Sequence, residues 1–190
     1  LTLSTGVIGA QLPMKNLSAG ISAAARNLGH HGGVEAARAI MTTDTIPKHL
    51  AVKVELPHGF VTIGGIAKGS GMIHPDMATM LAVITTDAAV TPGVLHSQLF
   101  AAVELSFNRV SVDGDTSTND SVIILSNGAA GGSLIKEGSK AGKIFQTALR
   151  QVCTTLAMEI ARDGEGATKL IEVTVEGATN LAEAKKAAKA

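Results

Sequence analysis

The chain has 190 residues, 45% of them apolar and 2% aromatic, with no Trp or Tyr, and its 16 basic and 16 acidic residues cancel. That is apolar enough for a sizeable core, while the balanced charge, the absence of a dense Lys/Arg run and the lack of stacking rings exclude capture of nucleic acid or an anionic membrane. A single cysteine rules out an internal disulfide and suits a reducing compartment, and no apolar run approaches the roughly 20 residues of a membrane span, so the expected partner is a small molecule.

The opening Leu1–Gly9 carries neither an initiating Met nor a signal-peptide charge pattern, which predicts a piece of a longer protein. Helical spacing of apolar and Ala residues predicts helices over Pro13–Leu28 and Gly33–Met41, separated by His30-His31-Gly32, a helix-end sequence rather than a metal site. Strands are predicted at Leu50–Leu56, Phe60–Ile66 and Met80–Thr85, a helix over Gly93–Phe107, and further strands at Val110–Val112 and Val122–Leu125. Lys140–Ile160 reads as a helix, with Cys153 as a small core residue inside it, and Leu170–Val175 as a last strand. The end, Leu181–Ala190, is helix-prone without a large apolar face. Residues 1–178 are thus expected to be the central part of one domain, and 179–190 a helical tail or linker. The mixture predicts an α/β layered sandwich of mixed β-sheets covered by helices.

Glycines gather where strands end, at Gly64-Gly65, Gly69-Ser-Gly71, Gly128 to Gly132 and Gly164-Glu-Gly166. Such places allow tight turns and close backbone approach to a ligand. Between the second group and the strand from Met80 lies His74-Pro-Asp-Met-Ala-Thr-Met-Leu81. A threonine hydroxyl is a weak nucleophile unless a base takes its proton, and a threonine that begins a chain carries its own α-amine for that purpose. Thr79 after the small Ala78, ahead of a buried strand, suits release by an N-to-O acyl shift. His74, five residues earlier, reads as a loop histidine. Gly64–Gly71 is no P-loop, because the Lys-Ser/Thr order after four spacers is missing. Asp113–Asp120 is no EF-hand loop, because its twelfth position is Ile124.

Seven blocks in order resemble the ornithine acetyltransferases, the glutamate N-acetyltransferases of arginine biosynthesis. They are Ser4-Thr-Gly-Val-Ile-Gly9, Met41-Thr-Thr-Asp-Thr45, Gly65-Ile-Ala-Lys-Gly-Ser-Gly71, Met77-Ala-Thr-Met-Leu81, Thr85-Thr-Asp-Ala88, Asp113-Gly-Asp-Thr-Ser-Thr-Asn-Asp120 and Asp163-Gly-Glu-Gly-Ala-Thr-Lys169. The resemblance implies a family-like αββα fold and an N-terminal-nucleophile mechanism. It also implies self-cleavage between Ala78 and Thr79 into α and β chains, and acetyl transfer from N-acetylornithine to glutamate through Thr79.

By the same resemblance Thr5 and Gly6 supply the oxyanion donors, and Thr42, Lys68, Thr79 and Glu165 bind substrate. The neighbouring Thr43 is an alternative to Thr42. Chemistry agrees with each: an oxyanion needs aimed N–H or O–H donors, a lysine between glycines can reach a carboxylate, and a glutamate flanked by glycines can meet an amine. Asn119 and Asp120 read as a polar turn that can orient the site, and Glu159 as a solvated helix position. No cofactor is expected, although acetyl-CoA is a possible second acetyl donor. The resemblance further implies α/β heterodimers pairing into a heterotetramer, in the cytoplasm or, in a eukaryote, the mitochondrial matrix. Family members extend further at both ends, and their C-terminal substrate-binding Asn and Ser/Thr have no counterpart here. An N-terminal-nucleophile amidohydrolase or aminopeptidase, and an inactive fragment, are the rival readings.

Overall fold

The computed structural model describes residues 3–74 and 80–189. Four strands form one mixed sheet in the order β1-β2-β3-β4: β1 Lys48–Leu56, β2 Gly59–Lys68, β3 Leu81–Thr86 and β4 Ser121–Ser126. β1 and β2 make an antiparallel hairpin closed at Leu56 opposite Gly59. β3 pairs antiparallel with β2 and parallel with β4. Parallel neighbours need a crossover, and helix α3, Pro92–Glu104, supplies it, with Pro92 in its first turn where a missing N–H costs nothing. For this numbering α1 is Met14–Arg26, α2 Gly33–Ala39, α4 Lys140–Arg162 and α5 Leu181–Lys189.

The core lies between the sheet and α4. Along β2, Val61, Ile63, Gly65 and Ala67 alternate inward, and they meet Phe145, Leu149, Val152, Leu156 and Ile160, which recur at helical spacing on α4. Each such buried aliphatic or aromatic side chain contributes about 1.5–3 kcal/mol. The contact is close at Gly65, where a Cβ would stand 2.9 Å from Leu156 Cδ1 and 3.3 Å from Val152 Cγ1. Helix α4 starts on the Ser139 side chain, which accepts the Gly142 N–H at 3.0 Å. Its 23 residues then run about 34 Å. The helix therefore carries the chain from the β1–β2 turn to the opposite end of the sheet, and delivers Asp163, Gly164 and Glu165 there.

The α/β class with a mixed, helix-covered sheet is as expected. Two expected strands are not formed: Val110–Val112 and Leu170–Val175 have no ladder among the described residues. The first is three residues long and runs straight into the Asp113 turn, so beyond the local Val110 N–H to the Phe107 carbonyl it reaches a distant segment only through Val112 N–H to the Ile73 carbonyl at 2.7 Å among the described residues. The second has strand composition, but Leu170, Ile171 and Val173 remain exposed because no neighbouring strand lies beside them. Helix α1 forms as expected yet buries no residue. The tail forms α5, held by Lys185 to Glu104 at 3.1 Å. Among the described residues no helix is long and apolar enough to cross a membrane.

Candidate active site

Three strand ends share one rung of the sheet. Lys68, the last residue of β2, is opposite Leu81, the first of β3, and Leu81 is opposite Ser121, the first of β4. The chain therefore reaches Leu81, two residues after Thr79, beside Lys68 and directly beyond Asp120. Ala78 and Thr79 themselves lie outside the described residues.

On one side of this rung sits a charge pair. Lys68 is 2% exposed, and its ammonium donates to Thr42 Oγ1 at 2.7 Å. Of the two adjacent threonines, Thr42 is thus the one joined to Lys68, while Thr43 bonds the Ser70 hydroxyl at 2.7 Å. Burial pushes the Lys68 pKa below its ordinary value; Asp44 and Glu165 draw it up and Lys48 pushes it down. Among the described residues no acceptor other than Thr42 takes the ammonium's three N–H bonds. Glu165 is exposed, and its N–H donates to the Ser70 carbonyl at 2.6 Å. Its carboxylate rests on Gly71, whose absent side chain is what admits it: a Cβ there would be 3.0 Å from Glu165 Cδ. A buried cation and an accessible carboxylate within one electrostatic field fit a small molecule bearing both a carboxylate and an amine.

On the other side the Asp113–Asp120 turn ties together distant segments. Asn119 Nδ2 donates to the carbonyl of Ser4, immediately before Thr5 and Gly6. Asp120 Oδ1 accepts the N–H of Met80, immediately after Thr79, at 2.8 Å. Among the described residues Asp120 Oδ2 is buried without a partner at hydrogen-bond distance, and burial raises this carboxyl above its ordinary pKa, outweighing the Met80 N–H and the nearby Ser117 hydroxyl. Asp113 accepts the N–H groups of Met72 and of Ile73, the latter at 2.9 Å. Met72 has φ 58, a left-handed conformation that a side-chain-bearing residue holds only when neighbours impose it. The His74 Nδ1 contacts Ser111 Oγ at 3.2 Å. Thr42, Lys68 and Glu165 are thus gathered at the end of β2, while Thr5 and Gly6 follow the Ser4 carbonyl held by Asn119.

The least legible component is a buried ionic cluster. Lys48, wholly buried, meets Asp44 Oδ1 at 2.7 Å and Asp163 Oδ2 at 2.5 Å. The one signal for it in the sequence is a lysine two residues before an alternating apolar strand. Glu159 is half-buried on α4 rather than solvated. Cys153 is buried, and burial pushes its thiol up to about 12, so it is an inert core residue. Among the described residues no three His, Cys, Asp or Glu side chains are grouped to hold a metal. A cavity of about 480 Å³ between the β1–β2 turn and residues 130–141 lies at the far end of the sheet and contains none of these groups.

A model of the ArgJ family matches residues 1–190. The chain is 59% identical over 187 residues to the arginine biosynthesis bifunctional protein ArgJ of Symbiobacterium thermophilum, covering 98% of this chain and 46% of that protein. It is 51% identical over 177 residues to the protein of the same name from Lactococcus lactis, covering 93% of this chain and 44% of that one. The chain spans about half the length of these curated relatives. The crystal structure of arginine biosynthesis bifunctional protein argJ from Bacillus halodurans superposes with a TM-score of 0.53 at 48% identity, over 55% of this chain and 49% of that one.

Proposed function

The chain belongs to the ArgJ family, and from that premise we propose that it is the central part of an acyltransferase that moves an acetyl group from N-acetylornithine to glutamate. The observation that supports this best is the shared rung of Lys68, Leu81 and Ser121. It puts the Lys68 cation beside the entry to β3, with Asn119 and Asp120 just before the entry to β4.

In this reading the Thr79 hydroxyl first attacks the Ala78 carbonyl carbon. The Ala78–Thr79 C–N bond breaks, the nitrogen takes up the hydroxyl proton, and water then hydrolyses the resulting ester. The freed Thr79 amine accepts the hydroxyl proton while the oxygen attacks the acetyl carbonyl of N-acetylornithine. Thr5 and Gly6 stabilise the oxyanion, and the sequence position of Thr5 beside the Asn119–Ser4 bond suits that role. The amide C–N bond breaks, the departing nitrogen takes the proton, and ornithine leaves an acetyl ester on Thr79. The amine of glutamate then attacks the ester, loses a proton, and departs acetylated with the hydroxyl restored.

Lys68 and Thr42 take the α-carboxylate, and Glu165 the side-chain ammonium of N-acetylornithine. Binding both ends holds the scissile amide in place against the nucleophile, which lowers the entropic part of the barrier. No cofactor is needed in this cycle; acetyl-CoA as an alternative donor, and assembly of cleaved α/β pairs into a heterotetramer, belong to the same proposal. The test is mass spectrometry of the full-length protein after incubation with N-acetylornithine. One acetyl group on the chain that starts at Thr79 is expected; an unmodified chain, or an intact Ala78–Thr79 bond in active protein, overturns the mechanism.

A further inference from the structure

Lys48 is buried, as are Asp44 and Asp163. Its ammonium reaches Asp44 Oδ1 at 2.7 Å, Asp163 Oδ2 at 2.5 Å and the Ile46 carbonyl at 3.5 Å. Three donors have three acceptors, so Lys48 has nothing left for a ligand. A buried ionic cluster is also a poor source of stability, since apolar side chains of similar volume would serve the core as well or better. What the carboxylates do besides neutralising Lys48 is more specific.

Asp44 accepts the N–H of Thr42 at 3.2 Å and the N–H of Gly69, next to Lys68, at 2.7 Å. Asp163, two residues before Glu165, accepts the Thr45 N–H at 2.9 Å, the Thr45 hydroxyl and the Ile46 N–H at 3.5 Å. Every backbone group that the cluster grips is in the Thr42–Ile46 loop or adjoins Lys68. Asp163 itself fixes the start of the Glu165 turn.

Resting on the reading of Thr42, Lys68 and Glu165 as substrate-holding groups, we propose that Asp44, Lys48 and Asp163 are positioning residues that clamp the Thr42 loop, the end of β2 and the turn after α4 into one substrate site. The cluster also sets the field at Lys68. The charged groups that act on that ammonium are Asp44 from the loop before β1, Lys48 from β1 and Glu165 from the turn after α4. Asp44 favours the charged form and Lys48 opposes it, so neutralising one or the other should act on Lys68 in opposite directions.

The experiment uses full-length, self-processed enzyme and follows kcat and KM for N-acetylornithine from neutral to strongly alkaline pH. The variants are Asp44→Asn, Lys48→Met and Lys68→Met, with thermal melting recorded for each. Lys68→Met tests the underlying reading: an unchanged KM overturns that reading and the proposal with it. Given a raised KM in Lys68→Met, the proposal expects the alkaline fall of kcat/KM to move to lower pH in Asp44→Asn and to higher pH in Lys48→Met, each by roughly one unit. It also expects the neutral-pH effect of Asp44→Asn to fall on KM rather than kcat. Shifts of the same sign, or none, in folded variants overturn the proposal while leaving the reading of Lys68 intact. Failure of both Asp44→Asn and Lys48→Met to fold also overturns it, because the cluster is then scaffold only.

Discussion

Asp120 and Met80 are joined by a 2.8 Å hydrogen bond from the Met80 N–H to the carboxylate, one residue after Thr79 in the chain. A bond to a charged acceptor contributes about 1.5–3 kcal/mol. In full-length protein, Asp120→Ala should slow self-cleavage after Ala78 about tenfold or more, read as the fraction of two-chain product on denaturing gels over time. Asp120→Asn keeps an oxygen to accept the N–H but lacks the charge, and on the proposed mechanism its rate should fall between those of the parent and Asp120→Ala. The raised pKa of Asp120 means that it protonates earlier than an ordinary aspartate as pH falls. Cleavage should therefore weaken on mild acidification in the parent protein, and Asp120→Asn should flatten that limb.

Lys68 and Glu165 should differ in weight. Removing a buried partner of a charged ligand costs about 2–5 kcal/mol, so Lys68→Met should raise KM for N-acetylornithine by roughly thirtyfold or more. Glu165 is exposed, and solvent screens its attraction for an amine. Glu165→Gln should raise KM less than Lys68→Met does, and steady-state kinetics on the two variants at one ionic strength checks the order.

The acid side of the stability profile follows from Asp44 and Asp163. Burial favours the neutral form of both, but for Asp44 it is outweighed by the N–H groups of Gly69 and Thr42 and by Lys48, and for Asp163 by Lys48 and Thr45. Both folded carboxyls consequently ionise below the ordinary value of 3.8. On acidification the unfolded chain takes up these protons first. The stabilisation is whole above that value and disappears as pH falls through the lower folded values. Urea midpoints measured downward from neutral pH should drop in this range, with a shallower drop for Asp163→Asn. At neutral pH, Asp163→Ala leaves Lys48 half-paired in the core and should cost about 3 kcal/mol.

Gly64 and Gly65 provide a paired test of packing. A Cβ at Gly65 meets Leu156 at 2.9 Å and Val152 at 3.3 Å, whereas one at Gly64 finds its nearest neighbours at 3.6 and 3.8 Å. Gly65→Ala should destabilise by about 1–3 kcal/mol through overpacking against α4. Gly64→Ala should be close to neutral by the same denaturation assay.

Periodicity made the scaffold readable: the alternation in β1 and β2 and the helical spacing of α4 are each local, and each formed within a few residues of its expected bounds. Leu170–Val175 has equally local strand character and forms none, because a strand exists only with a partner and no neighbour is written into its own residues. The site was legible as blocks and not as contacts. Asn119 and Asp120 stood out as a polar turn, but their targets, Ser4 and Met80, are 115 and 40 positions away. Lys48 shows the limit most clearly. A lysine before a strand reads as solvated, and it is a core residue because Asp163, from 115 positions away, joins Asp44 in pairing with it.

The interior position of β3 would turn a severed backbone into a joint rather than a separation. A piece beginning at Thr79 would start with a strand wedged between β4 of the same piece and β2 of the other, locked to β2 through six residue pairs. It would own α3 and α4, while the piece before it would own the β1–β2 hairpin on which α4 lies. Neither piece has a complete core of its own, so each is the other's missing wall. Opening the chain there would expose an amine and set nothing adrift, and the two products should travel as one particle through any purification that does not unfold them.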